Sequence, residues 1–74
     1  MSVIILPNKG HKLPNGATVL DTRITLSGGQ PIVLCYWKRN PQPYVVWSID
    51  NEYNTFWGHY FDDKSKAELY FLAK

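Results

Sequence analysis

The sequence contains a single cysteine, Cys35, among 74 residues, so an intramolecular disulfide is excluded. Small secreted domains commonly depend on disulfides, whereas cytosolic proteins do not. Long apolar runs are also lacking: the first apolar run stops at Pro7 with no basic residue before it, and no later run approaches the roughly 20 residues that a membrane helix needs. We therefore expect a soluble, cytoplasmic protein.

A strong excess of charge of one sign is lacking as well. Eight basic and six acidic residues give a net charge of +2, which is too small to indicate nucleic-acid or membrane binding by itself. The basic residues are nevertheless grouped, with Lys9 and Lys12 in one Pro/Gly-punctuated loop and Lys38 and Arg39 at one hairpin end. These groups are either ordinary solvated loop charges or phosphate contacts.

The sequence lacks recognisable catalytic, metal-binding and phosphate-binding motifs. No His, Cys or carboxylate pair has the spacing of a metal site, and neither a Gly-x-Ser-x-Gly elbow nor a phosphate-binding loop is present. Cys35 is predicted to be buried, where a thiol is usually inert. His59 has the surroundings most similar to a catalytic residue, but no matched nucleophile and base accompany it. We expect no enzymatic activity, no metal and no cofactor.

Strand signals dominate the part of the sequence before residue 62. The chain is long enough for one domain, residues 1–74, with a small core. Residues 18–26 alternate between apolar and polar, as in a half-buried strand, whereas residues 32–38 are apolar on both faces. Turn residues separate the apolar runs. Together they predict an antiparallel meander of about five strands, at residues 3–6, 18–26, 32–38, 44–50 and 55–61.

A short helix is predicted after the last strand. Asp62 or Asp63 can cap its first turn, because a carboxylate there accepts a hydrogen bond from a free amide and complements the helix dipole. Ala67, Tyr70 and Phe71 fall at helical spacing and form one apolar face. The predicted fold is therefore an α+β domain with one C-terminal helix packed on one face of the sheet.

The register of the last hairpin predicts which side chains share a face. A four-residue loop would pair Asp50 with Thr55, which places Ile49 opposite Phe56, Trp47 opposite Gly58 and Val45 opposite Tyr60. Val33, Cys35 and Trp37 join that face, and we expect the helix there. The opposite face is also apolar, so it is either covered by the N-terminal hairpin or open as a binding or dimer surface.

Two functions follow from this arrangement. The first is a non-enzymatic accessory protein that binds a protein partner, or a second copy of itself, through the open sheet face. The alternative is a DNA- or RNA-binding module, since aromatic and basic residues together can stack bases and hold phosphates. The candidate partner-binding residues are Tyr36, Tyr44, Val46, Trp57 and His59, and the candidate nucleic-acid contacts are Lys9, Lys12, Lys38 and Arg39.

The segment Trp57-Gly-His-Tyr-Phe-Asp62, followed by a helix bearing Ala67 and Phe71, resembles the ethylene-response-factor DNA-binding domain and the arm-binding domain of phage-type integrases. The resemblance runs from about Ile32 to Lys74. It implies three strands and a helix, with the sheet face away from the helix entering the major groove. That face offers Lys38 and Arg39 here, where the families use arginines and tryptophans. In size and lack of enzyme motifs, the chain also resembles small accessory proteins of phages and mobile elements.

Overall fold

The fold, described by a computed structural model for residues 5–26, 28–38 and 41–74, is an antiparallel sheet with one helix packed on it. The sheet has the strand order β1-β2-β3-β4, so every strand pairs with its neighbour in sequence. Of the predicted first strand, residues 5 and 6 are not in a strand and residues 3 and 4 lie outside the described residues. The elements are β1 (Thr18–Ile24), β2 (Pro31–Tyr36), β3 (Tyr44–Ile49), β4 (Thr55–Phe61) and α1 (Lys64–Ala73).

Helix α1 packs on the face of the sheet that carries Leu34 and Val46, which we call the helix face. Ala67 and Phe71 are the buried residues of the helix. The expectation that α1 covers the face of Val33 and Trp47 is therefore wrong. Only residues 62 and 63 separate β4 from α1, and the ring of Phe61 packs against Tyr70 with centroids 5.5 Å apart, so the helix turns back over the side that Phe61 occupies.

Residues 5–17, which we call the N-terminal segment, cover the other face of the sheet, which we call the segment face. Leu13 and Ala17 are buried there. Their loop is closed by a hydrogen bond from the Leu13 amide to the Ala17 carbonyl (2.8 Å), and the hydroxyl of Tyr53 donates to the Ile5 carbonyl. The N-terminal segment therefore covers the face that was predicted for the helix, and the prediction that it could cover the face of Leu34 and Val46 is wrong. The strand residues of the segment face are Val19, Val33, Cys35, Val45, Trp47 and Ile49.

Strand β1 contains a bulge between Val19 and Asp21 that the sequence pattern did not reveal. Beyond the bulge Arg23 pairs with Ile32, which belongs to the helix-face core, so the alternation of β1 is reversed there. The Arg23 guanidinium donates to the Leu72 carbonyl at 2.8 Å. A bulge that re-aims one strand therefore supplies a cation to the free carbonyls at the end of α1.

The start of α1 follows the sequence prediction. Asp63 is the N-cap residue, and its carboxylate accepts a hydrogen bond from the Ser65 amide at 2.7 Å. Asp62 instead lies 3.6 Å from the Lys66 ammonium as an exposed ion pair. Because both acids precede the first helical turn, either could have been the cap, and the structure assigns this role to Asp63.

Candidate functional site

Strand β4 has a bulge at Trp57 and Gly58. Val46 pairs with His59, but Ser48 pairs with Phe56, so two residues of β4 lie opposite Trp47. Trp57 adopts a φ of 53°, in the left-handed region. Bulky residues are rare there, and such a conformation costs on the order of 1–3 kcal/mol. The bulge is therefore a strained feature in an outer strand of the sheet.

The glycine in the bulge is required by the indole of Trp47. A Cβ at Gly58 would lie 2.5 Å from Trp47 Nε1 and 2.7 Å from its Cδ1. The predicted large-over-small contact of Trp47 with Gly58 is thus confirmed. Trp47 is only 4% exposed, whereas Trp57 is 74% exposed. The bulge brings one tryptophan against the strand backbone and turns the next one out toward solvent.

The bulge also compensates for a shift in the β3–β4 loop. The structure pairs Ile49 with Thr55, so the predicted pairing of Asp50 with Thr55 is wrong by one residue. Asp50 instead organises the loop, since its carboxylate accepts from the Asn54 amide at 2.9 Å. The extra residue at the bulge restores the predicted pairing of Val45 with Tyr60. The one-residue shift at the loop and the extra residue at the bulge therefore cancel each other in the pairing of β3 with β4.

Between the bulge and the end of α1 lies an open cavity of about 280 Å³, which we call the Trp57 groove. Buried strand residues of the helix face, Ile32, Val46 and Ser48, form its base. An exposed edge strand, a bulge and the end of a helix therefore meet around one concave surface. The complete lining is Thr25, Gln30, Ile32, Val46, Trp47, Ser48, Trp57, His59, Tyr70 and Lys74.

Four aromatic residues line the groove, and besides the buried Trp47 they are Trp57, His59 and Tyr70, each of which contacts a neighbouring side chain. The rings of His59 and Tyr70 lie 4.6 Å apart between centroids, in a tilted arrangement. Phe56 contacts the Trp57 ring edge-on at 4.9 Å. The Lys74 ammonium lies over the Tyr70 ring, 4.7 Å from its centroid, at cation–π distance. Each ring of the groove therefore has a defined support within the fold.

The charge of the groove is neutral to positive. His59 and Lys74 are the basic residues of its lining, and no aspartate or glutamate side chain lines it. Within the described residues the acids Asp62 and Glu68 form ion pairs with Lys66 and Lys64, and Lys74 is in neither pair. The groove therefore favours an anionic or apolar group over a cation.

The five predicted partner-binding residues do not form one surface. Trp57 and His59 line the groove, whereas Tyr36 and Tyr44 form a ring pair elsewhere, with centroids 5.4 Å apart. Val46 was expected on an open face, but it is only 3% exposed because α1 lies over that face, and it can contribute only to the base of the groove.

The predicted basic residues are placed in part. Lys12 forms an isolated antiparallel β-bridge with Thr18, and Thr18 pairs with Tyr36 on the next strand. Lys38 is exposed and lies two residues after Tyr36. Lys12 and Lys38 therefore lie at the same end of the sheet. Lys9 precedes Gly10, whose amide donates to the Val19 carbonyl. Arg39 lies outside the described residues.

Several exposed or groove-lining residues were missed by the sequence reasoning. Leu69, which is 71% exposed, and Leu72 lie on the outer side of α1, and Leu26 is exposed near its end. Leu69 and Leu72 are three positions apart, and Ala67 and Phe71 are four positions apart, so each pair lies on one side of a helix. This spacing indicates a helix that is apolar on two sides, which the sequence alone could have shown. Tyr70 packs against the helix-face core, as its place on the apolar face of the helix predicted, but it also lines the groove together with Lys74.

Cys35 is buried in the segment face, as predicted. Burial raises the pKa of its thiol to about 12, so the group is protonated and unreactive near neutral pH.

The chain matches no protein-family model, no curated protein and no solved structure. Among the residues that the structure describes, no helix is long and apolar enough to cross a membrane. The resemblance to ethylene-response-factor and integrase arm-binding domains stays a prediction. The geometry of the groove is therefore the basis for assigning a function.

Proposed function

We propose that this chain is a non-enzymatic interaction protein that binds a protein partner through the Trp57 groove. The observation that carries the proposal is the exposed indole of Trp57 on a left-handed backbone in an outer strand of the sheet. Strained backbone and bulges are concentrated at functional sites, and tryptophan is enriched among the residues that dominate binding energy.

The strain at Trp57 is not offset by burial of its own ring. A glycine at this position would adopt the same φ at little cost, and its lack of a side chain would remove an exposed apolar surface. Trp47, by contrast, gains the free energy of burial for its ring. A tryptophan in the costly conformation therefore gains most of its stabilisation when another molecule covers it.

The contents of the groove favour binding over catalysis. A general acid–base or nucleophilic mechanism requires matched groups within hydrogen-bond reach. His59 faces Tyr70 and lies in a lining without an acidic side chain or a cysteine. The volume, about 280 Å³, is at the lower limit of cavities that enclose a small-molecule substrate. A side chain of a protein partner suits this size better.

The test is a selection of peptides from a random displayed library on the immobilised protein, followed by titration of the selected peptide into ¹⁵N-labelled protein. We expect amide shifts at Trp57, His59 and Tyr70. Trp57→Ala should weaken binding about tenfold or more, the range of a hot-spot residue. Leu69→Ala is the matched control, because it also truncates an exposed apolar side chain. Equal affinity of the Trp57→Ala protein would contradict the proposal.

A second copy of the chain is the other protein partner to be tested. Sedimentation velocity over a range of concentrations would show association of the wild-type protein and its loss in Trp57→Ala if the groove binds another copy. Association that Leu69→Ala abolishes and Trp57→Ala does not would instead place the self-interface on the outer side of α1.

Nucleic-acid binding is the second candidate function, and one observation favours it. The exposed Tyr36 ring, paired with Tyr44, lies at the end of the sheet that carries Lys12 and Lys38. Such a site would stack bases and hold phosphates with little sequence preference. It predicts binding to mixed oligonucleotides that weakens steeply with salt and with Lys12→Gln and Lys38→Gln together. No binding at low ionic strength would eliminate it.

A further inference from the structure

We infer that the Trp57 groove recognises an acidic peptide segment, with an apolar side chain in the groove and a carboxylate beside Lys74. The inference rests on the proposed function and specifies the chemistry of the partner. It combines three properties of the groove: its size, its aromatic and aliphatic lining, and the sign of its charge.

The size and lining determine the apolar part of the ligand. Ile32 and Val46 lie at the base, and Trp57 and Tyr70 line the sides. A volume of about 280 Å³ accommodates one large aliphatic or aromatic side chain, in the manner of the anchor residues that fill pockets at protein interfaces. The ligand therefore presents one apolar anchor to the groove.

The charge determines the group next to the anchor. Lys74 lines the groove and has no acid partner among the residues described here. The carbonyls of Phe71 and Leu72 at the end of α1 accept from Arg23, so that guanidinium offsets the negative end of the helix dipole. A carboxylate of the ligand can pair with the Lys74 ammonium without displacing an acid of the protein.

The same contacts argue against a cationic ligand. Clustered aromatic rings form cages for quaternary ammonium groups when their faces are free. Here the face of Tyr70 is already occupied by the Lys74 ammonium at 4.7 Å, and the lining offers no acidic side chain. A second cation would be repelled at this site. A nucleic-acid strand could stack a base on Trp57, but Lys74 is the one lysine or arginine in the lining available to hold its phosphates.

The experiment uses three acetylated, amidated decapeptides that share one central leucine and differ in the two following residues: two aspartates, two asparagines or two lysines. Each is titrated into ¹⁵N-labelled protein. We expect the aspartate peptide to bind about two- to fivefold more tightly than the asparagine peptide, the contribution of an exposed ion pair, and the lysine peptide to bind most weakly. The preference should decrease as salt is added.

Charge reversal at the groove sharpens the test. Lys74→Glu should invert the order, so that the lysine peptide binds best. Lys64→Glu makes the same charge change on α1 outside the groove, and the wild-type order should persist in it. If the order of the peptide affinities is inverted in Lys74→Glu and not in Lys64→Glu, Lys74 determines the preference for the charge of the ligand.

The failures of the two proposals are distinguishable. Equal affinities for the aspartate and asparagine peptides, with binding lost in Trp57→Ala, would overturn the acidic ligand and leave the groove as the binding site. No shift at the groove with any of the three peptides would overturn both. Stronger shifts at Trp57 with a ten-nucleotide thymidine strand than with the aspartate peptide would also overturn the inference and assign the groove to nucleic acid.

Discussion

The two faces of the sheet are covered by different kinds of structure. The helix face is covered by a regular, capped helix that inserts Ala67 and Phe71. The segment face is covered by irregular chain that inserts Leu13 and Ala17 and is tied by a few hydrogen bonds. An apolar strand face therefore needs neither a helix nor a partner to be buried. Among the large apolar side chains that remain exposed are Trp57 at the bulge of β4 and Leu69 and Leu72 on the outer side of α1.

The largest expected effect tests the helix side of this comparison. Phe71→Ala removes a fully buried ring from the helix face and should lower the free energy of unfolding by about 3–5 kcal/mol. Leu69→Ala on the outer side of the same helix should change it by less than about 0.5 kcal/mol. Urea unfolding followed by circular dichroism measures both. Similar losses in the two variants would mean that the helix does not pack through Phe71.

Leu13→Ala tests the segment side in the same way. Leu13 is buried against the segment face, so its truncation should cost about 2–4 kcal/mol although it lies in no strand or helix. Leu26→Ala, at an exposed leucine, is the control. A loss near zero in Leu13→Ala would show that the N-terminal segment does not cover the sheet.

Gly58→Ala tests the contact that forms the bulge. The new Cβ would overlap the buried Trp47 indole, and we expect a loss of about 1–3 kcal/mol from overpacking. Gly28→Ala places its Cβ 3.9 Å from the nearest atom, Thr25 Oγ1, and should be nearly neutral. The comparison uses the midpoint of urea unfolding. A neutral Gly58→Ala would contradict the close approach of Trp47 to the strand.

The smallest effect concerns the acid stability of the β3–β4 loop. The pKa of Asp50 is lowered from its ordinary value of 3.8, chiefly by hydrogen bonds from the backbone amide and side chain of Asn54. The stabilisation is therefore present above the unfolded pKa and is lost as pH falls through the folded pKa. Carboxyl NMR titration should give a midpoint below 3.8, and Asp50→Asn should lose less stability than wild type below pH 4. A midpoint at or above 3.8 would contradict this loop geometry.

Elements with a strong local signal were predictable from the sequence. The alternation of residues 18–26 and the apolar runs bounded by turn residues located four strands, the acids before α1 located the cap, and the small residue at Gly58 indicated where Trp47 packs. The bulges at Asp21 and Trp57 were not predictable, because each depends on contacts with a neighbouring strand. The side chosen by α1 was missed for a related reason. It depends on the two-residue connection after β4, which turns the helix over the side that Phe61 occupies, and no periodic pattern reveals the direction of that turn.

The candidate site was predictable only in part. Trp57 and His59 were predicted to bind a partner because they are aromatic residues on the sheet face that was expected to be open. The structure places both at the groove. Their association with Tyr70 and Lys74 required the position of α1. Tyr36 and Tyr44 were grouped with them by strand alternation alone, which gives the face of a residue but not its distance along the sheet.

The most direct test of the central claim compares two tryptophans by ¹⁹F NMR of protein labelled with 5-fluorotryptophan. The claim is that the bulge turns Trp57 outward while Trp47 is buried beside it, 74% against 4% exposed. The resonances are assigned with Trp57→Phe and Trp37→Phe, and each is recorded in H₂O and in D₂O. The account predicts a solvent isotope shift for Trp57 close to that of the free amino acid and almost none for Trp47. A Trp57 resonance as protected as that of Trp47 in the monomer would contradict the account.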